Sequence, residues 1–168
     1  MIITSRMEFD AGHRIPNHKS TCRNLHGHRY AIEVSLSGEI IQQENLSDFG
    51  MVLDFKDAKE LIRSTIVDPW DHAFIVYKED VEVLNFLNQI KDHKTVVLDR
   101  VPTAENMALI AFATTWIASA RCLKRTTTPS SWARAPPGAA IFRSPGGKRP
   151  ASTFISALTG SPPSPLSI

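Results

Sequence analysis

A cysteine and two histidines stand close together early in the chain, in the segment Cys22-Arg-Asn-Leu-His26-Gly-His28. Residues i and i+2 of an extended segment project from the same face, so His26 and His28 can converge on one metal ion. His13 ends an earlier strand-like run and can supply a third imidazole from a neighbouring strand. Three nitrogen ligands with an open fourth position are the arrangement of a catalytic zinc site. A nearby Cys22 that is not a ligand is then free for chemistry, which predicts an enzyme.

The same histidines could instead have a purely structural role. His26 and His28 are in phase with the apolar face of the predicted strand, where a lone histidine is more often a hydrogen-bonded core residue than a ligand. Two histidines in phase, with Gly27 allowing close backbone approach, favour metal binding over that alternative. His18 also lies nearby, but it falls in a polar stretch after Pro16 and fits a loop better than a ligand position.

Asp71 and His72 form a second candidate group. A carboxylate can hold a histidine in one tautomer and stabilise its imidazolium, as a base or a proton relay requires. Adjacent residues of a strand point to opposite faces, so direct contact between the two requires a turn, which Pro69 favours. On the dipeptide alone, a solvated loop pair is the favoured interpretation.

The surrounding pattern predicts the elements that position these residues. Strands are expected over residues 3–9, 26–40, 50–55 and 95–98, with a further apolar run over 73–76. Helices are expected over about residues 55–67, capped by Asp54 and stopped by Asp68-Pro69, over a short stretch of 81–90, and after the N-cap Thr103. Hairpin-like strands followed by alternating helices and strands indicate an α+β domain with an antiparallel sheet.

Charge is distributed unevenly along the 168 residues. All 17 acidic residues lie at or before Glu105, whereas residues 106–168 hold seven Lys or Arg and eight of the 11 prolines. We therefore predict a folded domain over residues 1–135 and an atypical basic, Pro- and Ser-rich tail over 136–168 that is disordered. A nucleic-acid-binding arm is disfavoured, because the charges are scattered among Pro, Gly and Ser. A reading frame altered near the 3′ end is another explanation of the tail.

The sequence also bears on where the protein works. No stretch reaches the roughly 18 consecutive apolar residues of a membrane span, and the first residues do not resemble a signal peptide. Two cysteines, Cys22 and Cys122, do not make a disulfide framework, and a thiol beside histidines fits a reducing compartment. We expect a cytoplasmic protein with no membrane contact.

Five motifs follow one another along the first 115 residues: Phe9-Asp-Ala-Gly-His13-Arg, Cys22-x-x-x-His26-Gly-His28, Asp54-Phe55, Asp71-His72 and Pro102-Thr-Ala-Glu-Asn106. In this order and at these intervals the set resembles the 6-pyruvoyltetrahydropterin synthase family. The three-residue gap between Cys22 and His26 is similar to the 6-carboxytetrahydropterin synthase branch of that family, which acts in queuosine biosynthesis.

The resemblance implies a T-fold, a small antiparallel β-sheet with two helices packed on one face. Family members assemble these sheets into barrels, usually homohexamers, with active sites between subunits. The implied enzyme is a carbon–oxygen and carbon–carbon lyase whose small-molecule substrate is 7,8-dihydroneopterin triphosphate. Its products are 6-carboxy-5,6,7,8-tetrahydropterin, acetaldehyde and triphosphate. Elimination to 6-pyruvoyltetrahydropterin is the alternative reaction.

The resemblance also implies roles for individual residues. It makes His13, His26 and His28 the ligands of a Zn²⁺ cofactor. Cys22 becomes the general base, and Asp71 with His72 a proton relay. On charge, the candidates for holding the triphosphate are Arg14, Lys19, Arg23 and Arg29.

The chain departs from the family near its C-terminal end. The family has a late strand with a Glu-Thr pair whose carboxylate holds the pterin, and here Thr127 stands where that Glu is expected. A neutral hydroxyl cannot replace a bidentate anionic acceptor. Glu105 is a second substrate-binding candidate, although at a helix start it more often satisfies backbone N–H groups. A zinc-binding homologue with impaired activity is therefore an alternative to the active enzyme.

Overall fold

The computed structural model of the protein describes residues 1–123 and 139–143. Its strands are β1 (Ile2–His13), β2 (His26–Ser37), β3 (Ala73–Tyr77), β4 (Thr95–Leu98) and β5 (Ala139–Arg143). A 3₁₀ turn, Thr21–Arg23, lies between β1 and β2. The helices are α1 (Phe55–Ile62), which runs on through a π-helical turn (Arg63–Val67) into α2 (Asp68–Trp70), then α3 (Val81–Leu87) and α4 (Ala104–Leu123). None of the helices in the described part of the chain is long and apolar enough to cross a membrane.

The five strands form one sheet in the order β4-β3-β1-β2-β5. The pairs β1–β2 and β2–β5 are antiparallel, whereas β1–β3 and β3–β4 are parallel. The predicted α+β class is confirmed, but the sheet is mixed rather than antiparallel throughout. The difference arises from the connections: after β2 the chain passes through α1 and α2 and returns as β3 beside β1, and β3 leads to its neighbour β4 through α3. Crossovers of this kind allow parallel neighbours, which tight hairpins cannot produce.

Two helices cover one face of the sheet, as predicted. Ile62 and Ile66, from α1 and the turn after it, and Met107 from α4 belong to the same buried cluster as Phe9 and Ile75 of the sheet. On the opposite face, α3 forms a smaller cluster with β3, made by Val76, Val83 and Leu87 with Phe74 and Leu84 against it. The larger cluster lies beneath β1 and β2, so it fixes which face of these two strands is buried.

Two local predictions are wrong. Residues 50–55 do not form a strand: residues 38–54 are turns and irregular chain, closed by a hydrogen bond from the Ile41 N–H to the Met51 carbonyl at 2.9 Å. The helix also does not stop at Asp68-Pro69. Pro69 is the second residue of α2, which directly follows the π-helical turn, and the chain leaves the helix at Asp71.

The N-caps of α1 and α4 do match the prediction. Asp54 accepts a hydrogen bond from the Lys56 N–H at 2.7 Å, and Thr103 accepts one from the Asn106 N–H at 3.3 Å. Each side chain satisfies a backbone donor that has no partner within the first turn of its helix.

Strand β5 lies inside the segment 136–168 for which a disordered tail is predicted. Its residues Ala139–Arg143 pair with β2, from Ala139 opposite Ser35 to Arg143 opposite Ala31. These five residues therefore form a strand, although disorder is predicted for the segment. The rest of the segment lies outside the described residues, and so does Thr127. The domain boundary at 135 therefore stays a prediction.

Candidate metal and catalytic site

The pairing of β1 with β2 brings the three histidines together. His13 and His26 are direct partners in the antiparallel register, and His28 lies opposite Ala11. The ring centroids are 4.6 Å apart for His13 and His26, 4.8 Å for His26 and His28, and 5.2 Å for His13 and His28. One nitrogen from each ring lies within 4.8 Å of the others, so the three can hold one metal ion.

Two backbone carbonyls orient these rings. His13 Nδ1 lies 2.8 Å from the Pro102 carbonyl oxygen, and His26 Nδ1 lies 2.8 Å from that of Asn24. A carbonyl only accepts, so each Nδ1 carries the proton and each Nε2 is left with its lone pair. The two Nε2 atoms face each other at 3.1 Å.

Two lone pairs at that distance repel unless a positive centre lies between or beside them. Ligands of a tetrahedral zinc with Zn–N bonds of about 2.0–2.1 Å would lie about 3.3 Å apart, close to the separation seen here. A ligating histidine commonly donates its other ring N–H to a backbone carbonyl or carboxylate, as His13 and His26 do. The residues therefore fit a metal ion in both spacing and tautomer.

Burial keeps the site in its metal-binding form. Removal from water lowers the pKa of His13 to about 4, the carbonyl of Pro102 opposes that shift, and the neighbouring imidazoles add to it. Burial likewise lowers the pKa of His28, and His26 contributes in the same direction. An uncharged imidazole is the form that donates a lone pair to a metal. Tyr30, itself buried, packs edge-on against His13 and His28 with centroids 5.9 and 5.7 Å away.

Cys22 lies in the loop that joins the paired ends of β1 and β2. It is the middle residue of the 3₁₀ turn, its thiol is free, and it is partly exposed. The Ile15 N–H donates to the Cys22 carbonyl at 2.9 Å, which ties this turn to the chain two residues after His13. Among the described residues, the group able to share one ion consists of the three histidines and does not include Cys22.

The same loop is anchored at its start by a buried carboxylate. Arg14 donates to both oxygens of Asp80 at 2.5 Å and lies 3.4 Å from Glu82. Asp80 is 5 % exposed, at the start of α3. Of the four cations considered for the triphosphate, Arg14 is thus engaged in this pair, and Arg29 is engaged with Asp10 through two bonds of 3.1 Å.

The remaining two cations, Lys19 and Arg23, lie in the exposed part of the loop around Cys22. There the Arg23 guanidinium donates to the Lys19 carbonyl at 3.3 Å.

Asp71 and His72 make direct contact. Asp71 Oδ2 lies 2.8 Å from His72 Nδ1, and the turn that such a contact requires is present, with His72 at a φ of +57°. The other oxygen of Asp71 accepts from the Asp10 N–H at 3.0 Å. That backbone bond, followed by the bond to His72, lowers the pKa of Asp71, so the carboxylate is ionised at neutral pH. The carboxylate accepts from Nδ1 and leaves Nε2 of His72 open, on a side chain that is 79 % exposed.

His72 borders an open cleft of about 520 Å³. Alternation along the strands turns Asp10 and Arg29 away from the helix-covered face, whereas His13 and His26 share the phase of the buried Phe9 and Tyr30. The cleft is lined by Asp10, Ala11, Gly12, Gly27, His28, Arg29, His72, Ala73, Phe74 and His93. His28 and His72 therefore border the same cleft, whereas His13 and His26 do not line it.

Glu105 lies exposed in the first turn of α4, three residues after the Pro102 carbonyl that orients His13. Sequence reasoning missed the roles of Pro102 and Asn24, and no sequence signal could have revealed them. Both act through a backbone carbonyl, which every residue type possesses.

Comparison with known proteins identifies the family. Residues 2–127 match the family described as 6-pyruvoyl tetrahydropterin synthase. This chain belongs to that family. A protein from Rickettsia bellii named 6-carboxy-5,6,7,8-tetrahydropterin synthase is 39% identical over 106 residues, which cover 63% of this chain and 73% of that protein.

Solved structures agree with this assignment at the level of the fold. The 6-pyruvoyl tetrahydropterin synthase of Caenorhabditis elegans superposes with a TM-score of 0.53 at 22% identity, covering 93% of this chain and 96% of that one. An uncharacterized protein from Wolinella succinogenes gives a TM-score of 0.66 at 20% identity, with 93% and 98% covered. The predicted T-fold is confirmed, and the protein is a lyase-type enzyme of this family, as the sequence predicts.

The anchor after His13 yields a stability prediction. Asp80→Asn removes the buried negative partner of Arg14, so the free energy of unfolding should fall by about 1.5–3 kcal/mol, the range for hydrogen bonds to charged groups. Glu82→Gln is the matched control, because Glu82 contacts the same guanidinium from a side chain that is 85% exposed, and its effect should stay within about 0.5 kcal/mol. Urea denaturation of both variants measures this, and equal losses would contradict the anchoring role of Asp80.

Proposed function

We propose that the protein is a zinc-dependent 6-carboxy-5,6,7,8-tetrahydropterin synthase of the cytoplasm. Its reaction converts 7,8-dihydroneopterin triphosphate and water to 6-carboxy-5,6,7,8-tetrahydropterin, acetaldehyde and triphosphate, within queuosine biosynthesis. The observation that carries the proposal is the group of three histidines, each of which brings one ring nitrogen to within 4.8 Å of the others. The 39% identity to a relative of that name favours this reaction within the family.

In this proposal His13, His26 and His28 hold the metal through one nitrogen each and leave a fourth position for substrate. Bound Zn²⁺ would supply a Lewis acid that makes the hydroxyl groups of the substrate side chain more acidic. The protein's own contribution is to fix the two Nδ1–H tautomers through the carbonyls of Pro102 and Asn24 and to keep the buried His13 uncharged.

Cys22 is the proposed general base. The Ile15–Cys22 backbone bond ties its turn to the chain two residues after His13, which supports this role, and Cys22 is not a member of the histidine group. A thiolate can take a proton from a carbon atom of a bound substrate, a transfer that needs a base of considerable strength. Metal binding and proton removal are thus assigned to different residues, because the histidines bind the metal and the sulfur of Cys22 removes the proton.

Asp71 and His72 are the proposed proton relay. Asp71 fixes the Nδ1–H tautomer of His72 and, as an ionised carboxylate, stabilises the imidazolium that forms when Nε2 accepts a proton. The exposed Nε2 can therefore accept a proton at one stage and return it at another.

The separation of the two groups supports a homo-oligomer with shared sites. Of the three histidines, only His28 borders the cleft into which His72 opens, whereas His13 and His26 share the phase of the buried Phe9 and Tyr30. A homohexamer with sites between subunits would place the His72 of one copy at the metal group of another. It would also cover sheet edges, such as the one along β4 where Val97 is 52 % exposed.

The pterin ring still requires an anionic anchor. Thr127 stands at the position where the family has a Glu, and Glu105 is the carboxylate we propose as its substitute, since it follows the segment that contacts His13. The Thr127 departure also favours a second candidate function, a zinc-binding homologue with impaired turnover.

Product analysis tests the proposal. Zinc-loaded protein incubated with 7,8-dihydroneopterin triphosphate should release 6-carboxytetrahydropterin and acetaldehyde in equal amounts, read by mass spectrometry. Release of 6-pyruvoyltetrahydropterin instead would assign the other reaction of the family. Absence of any product from protein that retains zinc would overturn the proposal in favour of the impaired homologue.

Two substitutions separate metal binding from base catalysis. Cys22→Ala should keep about one zinc per chain and lower kcat by roughly 10²–10⁴-fold, the contribution expected of a positioned general base. His26→Ala should lose both zinc and activity, because it deletes one of three ligands. His18→Ala is the control, since His18 bonds to Ser20 in the loop and lies outside the group. Metal analysis after dialysis decides the matter, and loss of zinc from Cys22→Ala would show that the thiol is a ligand.

A further inference from the structure

We propose that Lys94 is a positioning residue for the Asp71–His72 pair, which it holds through two backbone carbonyls. The inference rests on the proposed function for the catalytic purpose of that pair. The geometry that supports it comes from the contacts around the turn.

The turn begins where a helix is left with an unsatisfied carbonyl. The Asp71 N–H still makes the helical bond to the Val67 carbonyl at 2.8 Å. The next N–H, that of His72, donates instead to the Asp10 carbonyl of β1 at 2.7 Å. The Asp68 carbonyl, which that N–H would meet in a continued helix, is therefore free for another donor.

Lys94 supplies that donor and closes the turn. Its ammonium donates to the Asp68 carbonyl at 2.6 Å and to the Asp71 carbonyl at 2.6 Å. Its own carbonyl accepts from the Phe74 N–H at 3.0 Å. One residue thus binds the chain on both sides of His72.

The turn needs these hydrogen bonds because His72 adopts a φ of +57°. That region is sparsely populated by residues with a side chain and persists only where the surroundings enforce it. The backbone bonds to Asp10 fix one side of the turn, and Lys94 fixes the other.

A lysine suits this position for two reasons. An ammonium has three donors and no acceptor, so it can serve two carbonyls at once. Carbonyls at the end of a helix also carry partial negative charge, which favours a cation. The same charge assists the Asp10 N–H and His72 in keeping the pKa of Asp71 low.

The test compares Lys94→Met with Lys94→Arg and with Lys91→Met, a substitution at an exposed lysine of the same loop. Two measurements are made on full-length, zinc-loaded protein. One is the tautomer of His72, read from long-range ¹H–¹⁵N spectra of histidine-labelled protein, and the other is steady-state kinetics.

In the wild type, and in Lys91→Met, His72 should be held as the Nδ1–H tautomer. In Lys94→Met the signals should show a mixture of tautomers, and kcat should fall roughly 10–100-fold with KM within about twofold, as expected for a displaced catalytic group. Lys94→Arg keeps a cation with several donors and should restore most of both readouts.

Unchanged His72 signals in Lys94→Met would overturn the inference, even if stability or activity fell, because the lysine would then be only structural. Altered signals in a protein whose wild type shows no lyase activity would support the positioning role while refuting the proposed function. Lys94→Gln, which keeps a neutral donor, provides the same comparison if Lys94→Met fails to fold, with tautomer mixing expected there as well.

Discussion

The register of β1 against β2 is the constraint on which the rest of the molecule depends. It sets His13 opposite His26 and, in the same phase, buries Phe9 and Tyr30 beneath the helices. A shift of one residue would send every side chain of a strand to the other face. The hydrophobic core and the metal group therefore specify the same register, and neither can be altered without the other.

The second constraint is electrostatic and arises from the first. Two carbonyls, of Pro102 and Asn24, fix the protons of His13 and His26 on Nδ1 and turn two lone pairs toward each other at 3.1 Å. An arrangement of this kind is unfavourable by itself and becomes favourable when a cation binds. The fold thus prepares a site that can hold a metal ion, since Pro102 directly precedes α4, and α4 contributes to the core that supports β1.

Residues with local partners could be predicted from the sequence, and residues with distant partners could not. The i, i+2 spacing of His26 and His28 and the cap at Asp54 depend only on strand and helix geometry, and both appear as expected. By contrast, Asp80 and Lys94 find their partners 66 and 23 to 26 residues away. No pattern within a segment specifies such contacts.

The errors in the fold have equally specific causes. The alternating residues Met51, Leu53 and Phe55 suggest a strand, but only Leu53 is buried, while Met51 is 42 % and Phe55 49 % exposed. The parallel direction of β3 and β4 follows from crossovers through helices, which the order of elements allows but does not require. The candidate site consists of side chains of few types at short spacing, so it could be inferred from the sequence before the topology that positions it.

In the proposed site, three histidines bind the metal and Cys22 stays outside its coordination shell. X-ray absorption at the zinc edge tests it most directly, on full-length zinc-loaded protein carrying Cys122→Ser so that Cys22 is the one thiol of the chain. We expect nitrogen or oxygen neighbours alone, at about 2.0–2.2 Å, with the multiple scattering of imidazole rings. A sulfur neighbour at about 2.3 Å would contradict it, because Cys22 would then be a ligand and unavailable as the base.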